Sequence, residues 1–147
     1  MRYWDTSAMV PLLVHQAASA AAMLELAMDP SIVTWWGSRV ECASAMARLE
    51  REGLLSGPAA DAVRSRYRLL SERWHEIEAS EPLRRVALRL LRTHPLRSAD
   101  ALQLAAAVVA SEGNPGSLAF VTLDERLAQA ADREGFRVIV PAATPEA

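Results

Sequence analysis

Four acidic residues of this 147-residue chain fall where a strand gives way to a helix or where a helix begins. Asp5 closes the apolar run Arg2-Tyr3-Trp4, and Asp124 follows Phe120-Val121-Thr122 by two residues. Glu41 lies in the first turns of a helix that opens after a strand at 31–35, and Asp100 in the first turn of a helix starting near Ser98. Open α/β sheets place their sites beyond the carboxyl ends of the strands, so these acids can converge on one edge. Converging carboxylates repel one another and stay ionised together only when a cation joins them. An all-oxygen donor set suits a hard ion, Mg²⁺ or Mn²⁺, better than zinc. Each acid also has a plainer reading. Asp5 and Asp124 suit helix N-caps, Asp100 suits the positive end of a helix dipole, and Glu41 with Arg48 and Glu52 suits an exposed helix face.

The elements that must position these residues alternate between strand and helix. Strands are expected at 2–5, 31–35, 118–123 and 137–140, each short and rich in β-branched or aromatic residues. Helices are expected over 10–28 (interrupted near Pro11 and His15), 37–51, 56–79, 81–92, 98–110 and 124–134. Short apolar strands separated by helices predict a parallel sheet covered on both faces. Residues 1–141 read as one α/β domain, with a helical excursion at 57–92 and a flexible tail at 142–147.

Composition narrows the chemistry. The 16 basic residues are all arginine, which excludes P-loop phosphate binding, Schiff-base catalysis and any site built on lysine. Receiver domains and haloacid-dehalogenase-type phosphatases need that lysine too, and Asp5-Thr6-Ser7 lacks the phosphatase's second aspartate. Cys42 is the one cysteine, so no internal disulfide is possible and a reducing cytoplasm is the expected compartment. Without a His or Asn partner nearby in sequence, it reads as a buried, inert thiol. No apolar stretch reaches the roughly 18–20 residues of a membrane span, and Met1-Arg2-Tyr3-Trp4 does not read as a signal peptide. The net charge of −2 hides an asymmetry: eleven arginines face seven acids between Arg48 and Arg97, and the remainder is acidic. Arg64, Arg68, Arg85, Arg89 and Arg92 recur at helical spacings in this basic stretch, either as a polyanion-gripping arm or as partners of Glu78, Glu81 and neighbouring acids. His15, His75 and His94 read as structural or surface residues, and Trp35-Trp36 as core packing or a stacking surface for bases. The Met23, Leu24, Leu26 and Ala27 run has helical spacing and reads as packing.

Tyr3-Trp4-Asp5-Thr6-Ser7-Ala8, Val40-Glu41-Cys42-Ala43-Ser44-Ala45, Arg97-Ser98-Ala99-Asp100-Ala101-Leu102-Gln103-Leu104-Ala105 and Phe120-Val121-Thr122-Leu123-Asp124-Glu125-Arg126-Leu127 follow one another in a familiar order. The ordered set resembles the PIN domain, above all the VapC-type toxins of bacterial and archaeal VapBC toxin–antitoxin pairs. The resemblance implies a three-layer α/β/α fold around a short central parallel sheet. It also implies a magnesium-dependent endoribonuclease, with Mn²⁺ as a substitute ion. Asp5, Glu41, Asp100 and Asp124 match the acidic quartet that holds the metal, and Ser7 and Thr122 match supporting hydroxyls. The expected partners are an RNA substrate, a VapB-type antitoxin and a second copy of the chain. The segment 57–92 matches only as helical and basic, so substrate choice does not carry over. The alternative expectation is a non-catalytic PIN-like scaffold for nucleic acid or protein.

Overall fold

The computed structural model describes residues 1–142; most of the tail expected at 142–147 lies outside them. The chain runs β1 (Arg2–Trp4), α1 (Thr6–Leu13), α2 (Ser19–Met28), β2 (Ile32–Trp35), α3 (Ser38–Arg51), α4 (Gly57–Ser71), β3 (His75–Ile77), α5 (Glu81–Thr93), α6 (Ser98–Ala110), β4 (Ala119–Val121), α7 (Glu125–Arg133) and β5 (Arg137–Ile139). All strand pairs are parallel, in the order β3-β2-β1-β4-β5. The chain builds outward from β1 to β3, then returns to β1's other side with β4. That reversal puts a topological switch point beside β1, where α/β sheets open a crevice.

Alternation along the strands sorts the side chains into two cores. Tyr3, Val33, Trp35 and Phe120 face α5, α6 and α7, whereas Trp4, Ile32 and Val121 face α1 to α4. Tyr3 and Phe120 stack with ring centroids 5.1 Å apart. The Ala-rich stretch of α6 (Ala101, Ala105, Ala106, Ala107) is fully buried, which lets this helix lie close against the sheet. Three layers result, as the strand and helix pattern implied.

Two expectations about elements need correction. The helix expected over 56–79 stops at Ser71, and the excursion contains an edge strand, β3. Its sequence, His-Glu-Ile, carries too little apolar signal to be read as a strand. Pairing with β2, the Arg39–Glu76 ion pair and a 3.1 Å hydrogen bond from Trp74 Nε1 to Glu76 hold it in place. Charged side chains on an exposed edge also discourage pairing with another sheet. The helix expected from residue 10 begins at Thr6, and of the two interruptions expected before residue 28 the one near His15 occurs while Pro11 sits inside the first helix. The break falls at 14–18, where the Ser19 hydroxyl accepts from the Gln16 N–H (2.8 Å) and donates to the Val14 carbonyl (3.2 Å).

Gly37 joins β2 to α3, and its missing side chain is required. A Cβ there would lie 2.5 Å from the Trp35 indole, which is itself packed in the core. Gly37→Ala should therefore displace Trp35 and cost about 1–3 kcal/mol, the usual range for overpacking. Urea denaturation of the two proteins measures the difference.

Candidate active site

The β1–β4 switch point gathers the first acid. Register pairs Trp4 with Val121, so Asp5 and Thr122 emerge side by side from adjacent strands. The Asp5 N–H donates to the Val121 carbonyl at 3.0 Å, continuing the ladder by one residue. Asp5 occupies the N-cap position of α1 but makes no capping bond. Its Oδ2 instead accepts from the Ser7 hydroxyl and from Thr122 Oγ1 (2.8 Å). Ser7 Oγ also accepts from the Leu123 N–H at 2.9 Å, and Thr122 Oγ1 from the Asp124 N–H at 3.0 Å. The two hydroxyls thus lock the loop after β4 to the start of α1. Asp5 is only 5% exposed, and burial pushes its carboxyl up to about 6. The two hydroxyls oppose that rise, and the charges of Glu41 and Asp124 add to it.

Glu41, in the first turn of α3, enters through a buried polar network. Thr6 Oγ1 donates to Glu41 Oε2 at 2.7 Å, and Gln103 Nε2 donates to the same oxygen at 2.9 Å. Gln103 is 1% exposed and also reaches Thr6 Oγ1 (3.0 Å) and Ser38 Oγ (3.1 Å). Tyr3 sets the orientation of this amide. Its hydroxyl, held protonated by burial and by the Asp5 and Glu41 charges, donates to Gln103 Oε1 at 2.5 Å. The amide N–H₂ must then face the carboxylate. Gln103 belongs to the quoted α6 motif, three residues after Asp100, yet a lone glutamine on an apolar helix gave no functional signal. α6 and α3 cover opposite faces of the sheet, and only the fold shows that the Gln103 side chain reaches across to Ser38 and Glu41.

Asp100 and Asp124 complete the edge. Asp100 is partly buried in the first turn of α6; burial and then Asp124 raise its pKa, and the Arg97 N–H with the Arg97 and Arg126 side chains pulls it back. α6 starts at Ser98 as expected, with Arg97 at its N-cap position and no side-chain cap. Asp124 does cap α7, accepting from the Leu127 N–H at 2.9 Å through Oδ1. Capping and a place in the acidic cluster coexist for this residue. Among the described residues no ion pair includes Asp5, Glu41, Asp100 or Asp124.

Residues 2–133 match the PIN domain family, which covers every element up to α7. The chain belongs to the PIN domain family. Members of this family are generally nucleases and generally use divalent metal ions. Among solved structures, a toxin–antitoxin complex from Klebsiella pneumoniae is similar over 98% of this chain and 100% of that one, with a TM-score of 0.63 and 16% identity. At that identity the likeness speaks for the PIN fold alone. No curated protein matches the chain.

The donor set at this edge fits a hard cation: it is all oxygen, its acids raise one another's proton affinity, and no arginine forms an ion pair with them among the described residues. Among the described residues no three His, Cys, Asp or Glu side chains already form a metal-holding group. Mg²⁺ is commonly held by only one or two carboxylates with water in the remaining positions, so the arrangement is compatible with it.

The other singled-out residues sort by the partners they hold. Arg64 pairs with Asp61 (3.0 Å) and Glu50 (2.7 Å), and Arg89 grips Glu134 through two bonds of 3.1 and 3.0 Å. Both are engaged because acids lie within one helical turn or on the neighbouring helix. Arg68, Arg85 and Arg92 are exposed and make no ion pair among the described residues. Trp35 packs in the core, whereas Trp36 is 57% exposed at the carboxyl edge of the sheet. The Cys42 thiol is buried and pushed up to about 12, by burial first and then by Glu41 and Asp5, which makes it inert. Buried His94 serves structure, its Nε2 lying 2.7 Å from Glu134. His15 and His75 are exposed.

Two expectations follow for the protein without added cation. An unfolded aspartate titrates near about 3.9, so the fold binds the Asp5 proton more tightly than the unfolded chain does. Asp5's effect on stability is then most favourable below about pH 4, declines as pH rises through about 4 to 6, and stays at its least favourable above. A shift of about two units corresponds to about 3 kcal/mol. Asp5→Asn should remove most of this pH dependence and melt higher than the unaltered protein at neutral pH, as read by thermal unfolding in EDTA. Gln103→Leu should cost about 1–3 kcal/mol in urea denaturation, because it strands the Tyr3 hydroxyl and removes a donor from Glu41.

Proposed function

We propose that this chain is a magnesium-dependent endoribonuclease, the VapC-type toxin of a type II toxin–antitoxin pair. The observation that carries the reading is Asp5: a buried carboxylate, oriented by two hydroxyls, within reach of the Glu41 and Asp124 charges and without an ion-pair partner among the described residues. A bound cation would offset the part of that cost which the two hydroxyls leave at neutral pH. Asp5 and Asp100 are the principal candidates to hold it, with Glu41 and Asp124 completing the shell. A divalent cation there would polarise the scissile phosphate and acidify the attacking water.

The chain's own residues supply the rest. Ser7 and Thr122 keep Asp5 Oδ2 occupied, which leaves Oδ1 directed by the protein and not by chance rotation. Thr6 and Gln103 do the same for Glu41 through its Oε2. The exposed Trp36 at the same sheet edge offers a face on which an RNA base can stack. Outer arginines Arg68, Arg85 and Arg92 are free to meet a polyanion, with Arg64 and Arg89 available only by giving up their acids.

A cognate antitoxin would inhibit by covering the acidic edge, with an arginine as the natural intruder because its fork binds carboxylates bidentately. Exposed Met23, Leu24 and Met28 on α2, with Leu69 on α4, form an apolar surface that supports burial against a partner or a second copy. No described helix is long and apolar enough to cross a membrane, and the free Cys42 accords with action in the cytoplasm.

Calorimetric titration with Mn²⁺ should show binding that Asp5→Asn and Asp100→Asn each weaken strongly. RNA cleavage should stop in EDTA and fall in both variants by more than about a hundredfold, beyond the 10–100-fold that supporting changes alone cost. Cleavage that persists undiminished in EDTA would remove the metal from the mechanism. A chain that binds no Mn²⁺ and cuts no RNA is a scaffold.

A further inference from the structure

An acid cluster that binds a divalent cation still repels the rest of a nucleic-acid backbone, so arginines must stand close to it. Several arginines of the 57–92 excursion are engaged elsewhere: Arg64 with Asp61 and Glu50, Arg84 with Glu81, Arg89 with Glu134. Three exposed arginines beside the acids make no ion pair among the described residues. Arg97 precedes α6 and stands three residues before Asp100; Arg126 stands two residues after Asp124 in the first turn of α7. Both are near enough to act on the Asp100 carboxylate. The third, Arg48, lies on α3 two turns beyond Glu41.

A groove of about 430 Å³ runs between α1 and α3, away from the acids. Ser7 and Val10 line it from α1, and Glu41, Ser44, Ala45 and Arg48 from α3. The α3 residues are spaced i, i+3, i+4 and i+7, so they share one face of the helix. Glu41 stands at the end of the groove nearest the metal site. Arg48 stands two turns further on, about 10 Å along the axis at 1.5 Å per residue. The groove's volume suits one small ligand unit, its small apolar side chains suit a ribose or base, and its far end carries the charge a phosphate needs.

We propose that single-stranded RNA crosses the site from Arg97 and Arg126, over the four acids, into the α1–α3 groove, where Arg48 binds a phosphate neighbouring the cut. A nucleotide enters this groove only after leaving a base-paired stack, so a duplex is excluded. The inference rests on the ribonuclease reading above and moves the principal grip from the 57–92 excursion to the rim of the acidic edge.

The test is anisotropy of a labelled single-stranded RNA titrated with Asp5→Asn protein, which lacks the cutting function, over a series of salt concentrations. Replacing Arg48, Arg97 and Arg126 together by Ala should flatten the log–log salt slope by about 0.7 for each phosphate left without its arginine. Lysine at the same three positions should restore the slope, since the charge returns, and Mn²⁺ affinity should not weaken. In the cutting-competent background the alanine changes should raise KM more than they lower kcat. Arg68, Arg85 and Arg92 changed together to Ala should flatten the slope less than the rim triple does. A folded triple-alanine protein with an undiminished slope, or equal affinity for the same strand annealed to its complement, overturns the proposed track. If the unaltered chain binds Mn²⁺ but neither binds nor cuts RNA, the ribonuclease reading fails instead.

Discussion

A buried carboxylate at the end of the central strand is the constraint around which the fold is arranged. Asp5 leaves water as β1 ends, and burial is the largest influence on its proton. Neighbouring acids make its ionised form still more costly. The surrounding residues respond by holding the carboxylate in place and not by neutralising it. Ser7 and Thr122 bind one oxygen, and the same two hydroxyls tie α1 to the loop after β4. The site and the junction of two adjacent strands are therefore one hydrogen-bonded unit. A change that loosens the loop also releases the aspartate.

Behind Glu41 the same logic operates at one remove. The protonated Tyr3 hydroxyl orients the Gln103 amide, and the amide orients the glutamate. Thr34 extends the chain of hydrogen bonds, donating to the Trp4 carbonyl at 2.8 Å and lying 2.6 Å from Ser38 Oγ. This polar seam crosses the carboxyl edge of the sheet, from the α6 face to the α3 face. Such a seam is stable only when each member is satisfied, and here each side chain has a partner. It makes the carboxyl edge of the sheet stiff before any ligand arrives.

Much of this was readable from the residues, for identifiable reasons. Apolar strands such as Ile32–Trp35 and amphipathic helices such as α5 announce themselves by local pattern, and the quartet of acids sits at element boundaries. β3 was not readable because an edge strand needs little apolar character, and its residues are placed by Arg39 from a distant helix. Gln103 is silent in the sequence because its role comes from reaching across the sheet edge to Glu41 and not from spacing. The arginines show the limit of charge counting. Sequence gives their sum, but only the fold shows that Arg64 and Arg89 already hold acids while Arg97 and Arg126 stand near Asp100.

The strand order has a temporal consequence. Asp5 and Glu41 belong to the early part of the chain, and Asp100 and Asp124 to the late part, with β4 inserting beside the first strand made. A growing chain emerges from the ribosome in order, and its early segments can fold first. During synthesis the acidic edge lacks half its members until Asp100 emerges and stays incomplete until Asp124 does, and Asp5 lacks its Thr122 partner almost as long. The four acids are thereby kept from meeting for most of the chain's translation, and Asp5 waits for the hydroxyl that orients it.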